Sequence, residues 1–200
     1  MSTSERQLTE QGKERKQQLL DAAAALFADR GYGPTRIADI CEAAGVAKGL
    51  FYWYFPTKET LFVELVRSMR TSLRRVQAAA MADTDDPLEK IRRGAAASVR
   101  YMSEHRAYFA LLETERDDEQ IVEVLRESNL VYSADATNLV RAAQKQGSIP
   151  DDHDPELLAL GVTGTVSHFS HYHRLGRVDI DVDELGRFVG DWIVRALSGA

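Results

Sequence analysis

The segment from Thr35 to Lys58 admits few folds. Ile37, Ile40 and Cys41 recur at helical spacing, Gly45 interrupts them, and Val46 opens a second short helix ending in Tyr52, Trp53, Tyr54 and Phe55. Ala43 and Ala44 are small where two helices must approach closely, and Gly45 can take the positive φ of a tight turn. Three consecutive aromatics cannot all point inward from one helix end, so at least one faces solvent, beside Lys48. A braced pair of short helices with a polar and aromatic outer edge is the geometry of a helix-turn-helix, whose second helix enters the major groove of DNA.

Elsewhere the apolar residues also recur at helical spacing, and no alternating strand pattern appears, which predicts an all-α chain of about nine helices. Residues 1–12 are polar and read as a mobile arm, 13–56 as the helix-turn-helix domain and 57–82 as a connecting helix that Thr57 can cap. Asp83, Asp85, Asp86 and Pro87 break the pattern, so 83–200 reads as a second domain, with helices expected at about 87–103, 106–115, 118–146, 154–175 and 181–198. With 44% apolar residues the chain can bury a real core. It contains no run of eighteen apolar residues, which predicts no membrane partner. Its polar start is unlike a secretory leader and its single cysteine suits a reducing compartment, so a cytoplasmic location is expected.

A net charge of −6 conceals an asymmetry. Residues 1–80 hold 12 basic and 9 acidic side chains (+3), whereas 81–200 hold 13 basic and 22 acidic ones (−9). Polyanion binding needs a local basic face, and the first part supplies one. Thr35 is placed to cap the next helix and to bind phosphate there. Arg36 and Lys48 are charged on faces where a duplex would lie, and Lys58 reads as a phosphate anchor. Cys41, on an apolar face, reads as a small core residue.

Gly31-Tyr32, Thr35 with Ile40, Ala44-Gly45-Val46, Lys48-Gly49, Phe51-Tyr52, Tyr54-Phe55 and Lys58-Glu59 with Leu61 together resemble the DNA-binding domain of TetR-family transcriptional regulators. The resemblance spans about residues 13–65 without a gap and implies three helices followed by a connecting fourth. It implies DNA contacts from Arg36, Lys48, Gly49, Leu50, Tyr52, Trp53, Tyr54 and Lys58. At position 50 the family often has threonine, and Leu50 favours contact with a thymine methyl instead. The resemblance further implies a second domain that binds a small effector and dimerises through its last two helices.

The residues support dimerisation independently. Leu157, Gly161, Gly164, His168, His171 and Leu175 form one seam, and Val182, Leu185, Val189, Trp192 and Ala196 a second stripe, which suits a symmetric four-helix interface between two copies. Tyr101, Met102, Tyr108, Phe109, Leu112, Tyr132, Phe169 and Tyr172 are candidates for lining a mainly apolar effector cavity. His168, His171 and His173 do not share one face and lack an obvious completing ligand, so they read as packed or interface histidines, with no metal. No cofactor motif appears, nor a phosphate loop or triad that would support an enzyme. The acidic second region argues against a non-specific architectural DNA protein. The expected function is a ligand-responsive homodimeric repressor, bound to a double-stranded palindromic operator and released by a largely apolar effector.

Overall fold

A computed structural model describes residues 10–106, 108, 109 and 119–199, with the side chains of 119–122 and 124–132 outside that description. Among the described residues the chain is all-α, with eight helices: α1 (Glu10–Arg30), α2 (Ile37–Ala43), α3 (Lys48–Tyr54), α4 (Lys58–Ala80), α5 (Pro87–Glu104), α6 (Glu119–Gln146), α7 (Pro155–Arg174) and α8 (Val182–Ser198). The helix expected at 106–115 falls mostly outside the described residues. No described helix is long and apolar enough to cross a membrane. The chain forms two compact units, the second made of residues 68–106 and 125–200, so that the division cuts both α4 and α6.

In the first unit α1 already includes Glu10, ahead of the boundary expected at residue 13. Leu19, Leu20, Ala23 and Phe27 lie four and three residues apart, so they share one buried face. Against them stand Ile40, Cys41, Phe51, Phe55, Leu61 and Phe62, all buried. The rings of Phe27, Tyr32 and Phe62 meet pairwise at 5.1–6.0 Å in tilted or edge contacts, the favoured arrangement of aromatic quadrupoles. Cys41 lies in this core, and burial pushes its thiol pKa up, leaving a small apolar side chain rather than a thiolate.

The turn after α2 is a Schellman motif. Gly45 takes φ +64°, its N–H donates to the Glu42 carbonyl, and Val46 N–H donates to the Cys41 carbonyl. At the start of α4, Thr57 and Thr60 each accept from the other's backbone N–H, the reciprocal cap expected of Thr57.

In the second unit α5 is the central helix, with Ile91, Gly94, Ala95, Ser98, Val99 and Met102 among its buried residues. Asp86 caps it by accepting from Leu88 N–H at 3.0 Å, and Pro87 occupies its first turn. Helix α8 packs on α5 through Leu185, Val189 and Ile193, with Gly186 and Gly190 beside them. A Cβ at Gly190 would lie 2.6 Å from the Arg92 carbonyl oxygen, so only glycine lets these backbones come this close. Within α5 Arg92 and Arg93 grip Glu89, and hydrogen bonds from the two guanidinium groups hold its carboxyl pKa down to about 2.

Candidate nucleic-acid interface and effector cavity

Helix α3 is amphipathic over only seven residues. Phe51 points inward and is fully buried, Leu50 is half-buried, and Lys48 and Gly49 are exposed. Tyr52 and Trp53 are 54% and 51% exposed, an unusual state for two adjacent large aromatics. Both stand on the same outer edge as Lys48, as expected from the aromatic run. Tyr54 does not join them. Its hydroxyl donates to the Gly12 carbonyl at 2.8 Å, which pins α3 to the first turn of α1. A phosphate oxygen only accepts, so with its one proton committed Tyr54 acts as a clamp in this geometry rather than as a phosphate donor.

Three further expectations change. The cap of α2 is Arg36 rather than Thr35. Thr35 is 1% exposed, and its hydroxyl donates inward to the Gly31 carbonyl at 2.7 Å. The reason is that Gly31 follows the end of α1, where its carbonyl has no helical N–H donor. Arg36 is held by Asp39, which accepts from its backbone N–H at 3.1 Å and from its guanidinium at 3.1 and 2.9 Å. These bonds, the side-chain pair foremost, depress the Asp39 carboxyl pKa. The Arg36 side chain stays 79% exposed, oriented but accessible.

Lys58 also turns inward. Its ammonium donates to the carbonyls of Tyr32, Gly33 and Thr35 at 2.7, 3.2 and 3.0 Å and lies 4.2 Å from the centre of the Tyr32 ring. All three protons are engaged, because the loop between α1 and α2 offers its carbonyls no helical N–H donors. We expect Lys58→Met to lower unfolding stability by about 1–3 kcal/mol. A phosphate anchor would behave otherwise: stability would hold and the salt dependence of DNA binding would fall by about one unit. Denaturant unfolding and a salt titration of DNA binding distinguish the two.

In the second unit a cavity of about 360 Å³ opens between α4, α5, α6 and α7. Met81, Ile91, Ala95, Leu139, Val162 and Val166 supply apolar wall, and Arg74, Gln77, Lys90, Ser98, Asp135, Asn138 and Thr163 its polar groups. None of the described candidates Tyr101, Met102, Tyr108, Phe109, Phe169 and Tyr172 lines this space. Leu112 and the side chain of Tyr132 lie outside the described residues. Tyr101 is buried, its hydroxyl donating to the Met69 carbonyl at 3.1 Å, and burial raises its pKa. Tyr172 is 42% exposed with its ring 4.7 Å from His168, and Phe169 meets Phe188 edge-on at 5.7 Å. The aromatics drew attention by size. The lining instead combines aliphatic residues, whose pattern resembles ordinary core, with polar ones that resemble an ordinary solvated face.

The last two helices present an uncovered apolar face. Leu157, Leu160 and Leu175 of the α7 segment are 62%, 58% and 57% exposed, and Gly161, Gly164 and His168 lie open beside them. His171 is half-buried, and His173 Nε2 donates to the Ile180 carbonyl at 3.1 Å. On α8 the expected stripe divides. Leu185 and Val189 belong to the core against α5, whereas Trp192 and Ala196 are exposed. Phe188, 49% exposed and absent from the expected stripe, joins Trp192 one turn away. Adjacent apolar pairs, Phe188-Val189 and Trp192-Ile193, were the available signal, since neighbours on a helix point to different faces.

Comparison with known proteins agrees with this geometry. Residues 19–65 match the family model described as bacterial regulatory proteins, tetR family, and residues 84–197 match the tetracyclin repressor-like C-terminal domain. The HTH-type transcriptional repressor KstR2 of Mycobacterium tuberculosis is 29% identical over 181 residues, 90% of this chain and 78% of that one. The probable acrEF/envCD operon repressor of Escherichia coli is 28% identical over 76% of this chain and 72% of its own length. In fold, the chain is similar to FadR of Bacillus subtilis in complex with stearoyl-CoA, with a TM-score of 0.78 at 20% identity, covering 89% and 97% of the two chains. Two matched domains, an exposed aromatic edge on the second helix of the turn and an all-α second unit make this chain a DNA-binding transcriptional regulator of the TetR family.

Proposed function

We propose that the protein is a homodimeric repressor that reads a palindromic operator through α3 and leaves it when a small effector binds the second unit. The observation that carries the reading is the edge of α3, where Tyr52 and Trp53 stand exposed beside Lys48. Exposed aromatics with O–H and N–H groups suit contact with phosphate, sugar and thymine methyl. Gly49 leaves open space beside the helix, which permits close approach of a backbone. Arg36, held by Asp39, adds an oriented cation at the start of α2. Fluorescence anisotropy with DNA flanking the gene tests the proposal. Selective binding that weakens steeply with salt is expected, and equal affinity for random DNA refutes it.

Leu50 sets the base preference in this proposal. Leu50→Thr is expected to shift the preferred sequence by about 1–3 kcal/mol at one position, read by selection from a randomised half-site library, with the unfolding midpoint retained. An unchanged profile would remove Leu50 from the base-reading set.

The second copy is the proposed occupant of the face formed by Leu157, Leu160, Gly161, Gly164, Phe188 and Trp192. Apolar surface of this extent on two neighbouring helices is rare on a monomer, and the open glycines admit a helix at short range. Two linked recognition helices then bind two half-sites together. Trp192→Asp is expected to weaken dimerisation by about 2 kcal/mol or more, some thirtyfold, measured by sedimentation equilibrium. A monomeric wild-type protein at micromolar concentration would contradict the arrangement. The effector part rests on the cavity, and the complex of the similarly folded FadR with stearoyl-CoA, a ligand with an apolar chain, supports it.

A further inference from the structure

The chemistry of the cavity in the second unit narrows the ligand it accepts. Four helices border it, and its charged groups differ in how fully the protein satisfies them. Arg74 is closely paired with Asp135, with contacts of 2.9 and 3.1 Å. Lys90 is not. Its nearest carboxylate is that of Asp85 at 3.8 Å, beyond hydrogen-bond reach, and Asp85 is itself fully exposed. Among the described residues, the Lys90 ammonium therefore donates to no protein group while lining the cavity. It is the cation in this wall with free capacity for a carboxylate.

The second polar element is Gln77. Ser98 is fully buried, and its hydroxyl donates its only proton to the Gly94 carbonyl at 2.7 Å. Ser98 Oγ is then left to accept, which it does from Gln77 Nε2 at 2.8 Å. This chain fixes the orientation of the Gln77 amide, since the reverse would place two acceptors together. Gln77 lines the cavity, and its Oε1 accepts from no donor among the described residues. A ligand that fills the space without a donor leaves this oxygen dry and unpaired, at a cost. Lys90 and Ser98 stand eight residues apart on α5, about 12 Å of helix rise. The wall between is aliphatic: Ile91, Ala95, Leu139 and Val166.

We propose that the cavity binds a straight-chain hydroxy acid of medium length, its carboxylate on Lys90, its aliphatic body against Ile91 and Leu139, and its hydroxyl donating to Gln77 Oε1. The inference deepens the effector reading and rests on it only for its regulatory consequence, since binding itself is a property of the cavity.

Calorimetric titration of the full chain with ω-hydroxydecanoate, decanoate and decanediol tests it. The hydroxy acid is expected to bind about tenfold more tightly than either of the others, one lacking the hydroxyl and the other the charge. In Lys90→Met the hydroxy acid falls to the affinity of the diol, and Lys90→Arg restores it. In Gln77→Leu the advantage over decanoate disappears while decanoate binding is kept. Unchanged thermal unfolding of the two lysine variants confirms that they are folded, as expected for a half-buried side chain that makes no hydrogen bond among the described residues. Equal binding of acid and diol overturns the assignment, as does an unaltered affinity in Lys90→Met or no binding of the hydroxy acid at all. Operator affinity measured with and without hydroxy acid decides the regulatory reading separately. Tight binding with unchanged operator affinity upholds the cavity assignment and removes the effector role.

Discussion

Phe51→Ala is expected to destabilise the first unit by about 3–5 kcal/mol and to abolish operator binding near physiological temperature. Phe51 is fully buried, meeting Phe55 at 5.8 Å and Tyr52 at 5.5 Å between ring centres, and it is the buried residue that seats α3. Small units have little stability to spare, so a loss of this size removes most of the folded population. The neighbours supply an internal control. Tyr52→Ala and Trp53→Ala truncate side chains that are half exposed, and should change unfolding by only about 0.5 kcal/mol while weakening DNA binding. Denaturant unfolding of the three variants, beside anisotropy with operator DNA, separates packing from contact. Comparable losses of stability in all three would contradict the assignment of faces.

Gly190→Ala is expected to cost about 2–3 kcal/mol, the upper range for overpacking, through the second unit alone. The new Cβ would meet the Arg92 carbonyl oxygen at 2.6 Å, and the obstacle is backbone, which cannot rotate away. Gly186→Ala, with its nearest atom the Ala96 carbonyl oxygen at 3.0 Å, should cost less. Gly161→Ala should be neutral or gain up to about 1 kcal/mol from helix propensity in the monomer, because nothing lies within 4 Å. The order of the three midpoints in thermal unfolding tests the close approach of α5 and α8. Equal midpoints for Gly190→Ala and Gly161→Ala would refute it.

Much of the architecture was legible in the chain because it depends on local rules. Leu19, Leu20, Ala23 and Phe27 follow the helical period and do face the core, Gly45 takes the left-handed conformation that the turn needs, and Thr57 caps α4. Exposure of two of the three aromatics at 52–54 followed from counting directions at a helix end. The same counting left open which member turns in, and the resemblance alone placed Tyr54 among the DNA contacts. Tyr54 finds the Gly12 carbonyl, 42 residues away in sequence, and no periodicity announces that meeting. Lys58 and Thr35 mislead for the same reason. Their polar atoms answer carbonyls of the loop between α1 and α2, a demand created only when α1, α2 and α4 converge.

The second unit shows the distinction most plainly. Its helical content, its acidic charge and its apolar last helices are properties of the sequence, set by composition and by the 3.6-residue period. Which face of α8 is core, and which is left open, depends on α5 lying against Gly186 and Gly190; Phe188 and Trp192 are thereby left outside. The cavity likewise arises from four helices that fail to close completely, so its lining combines residues from α4 to α7 that share no motif. Sequence alone determined the helices, the turn and the exposed edge of α3, because neighbouring residues suffice to specify them. Tertiary structure decided which polar groups are already satisfied and which remain free to meet a ligand, because a hydrogen bond is completed by whatever distant part of the chain arrives beside it.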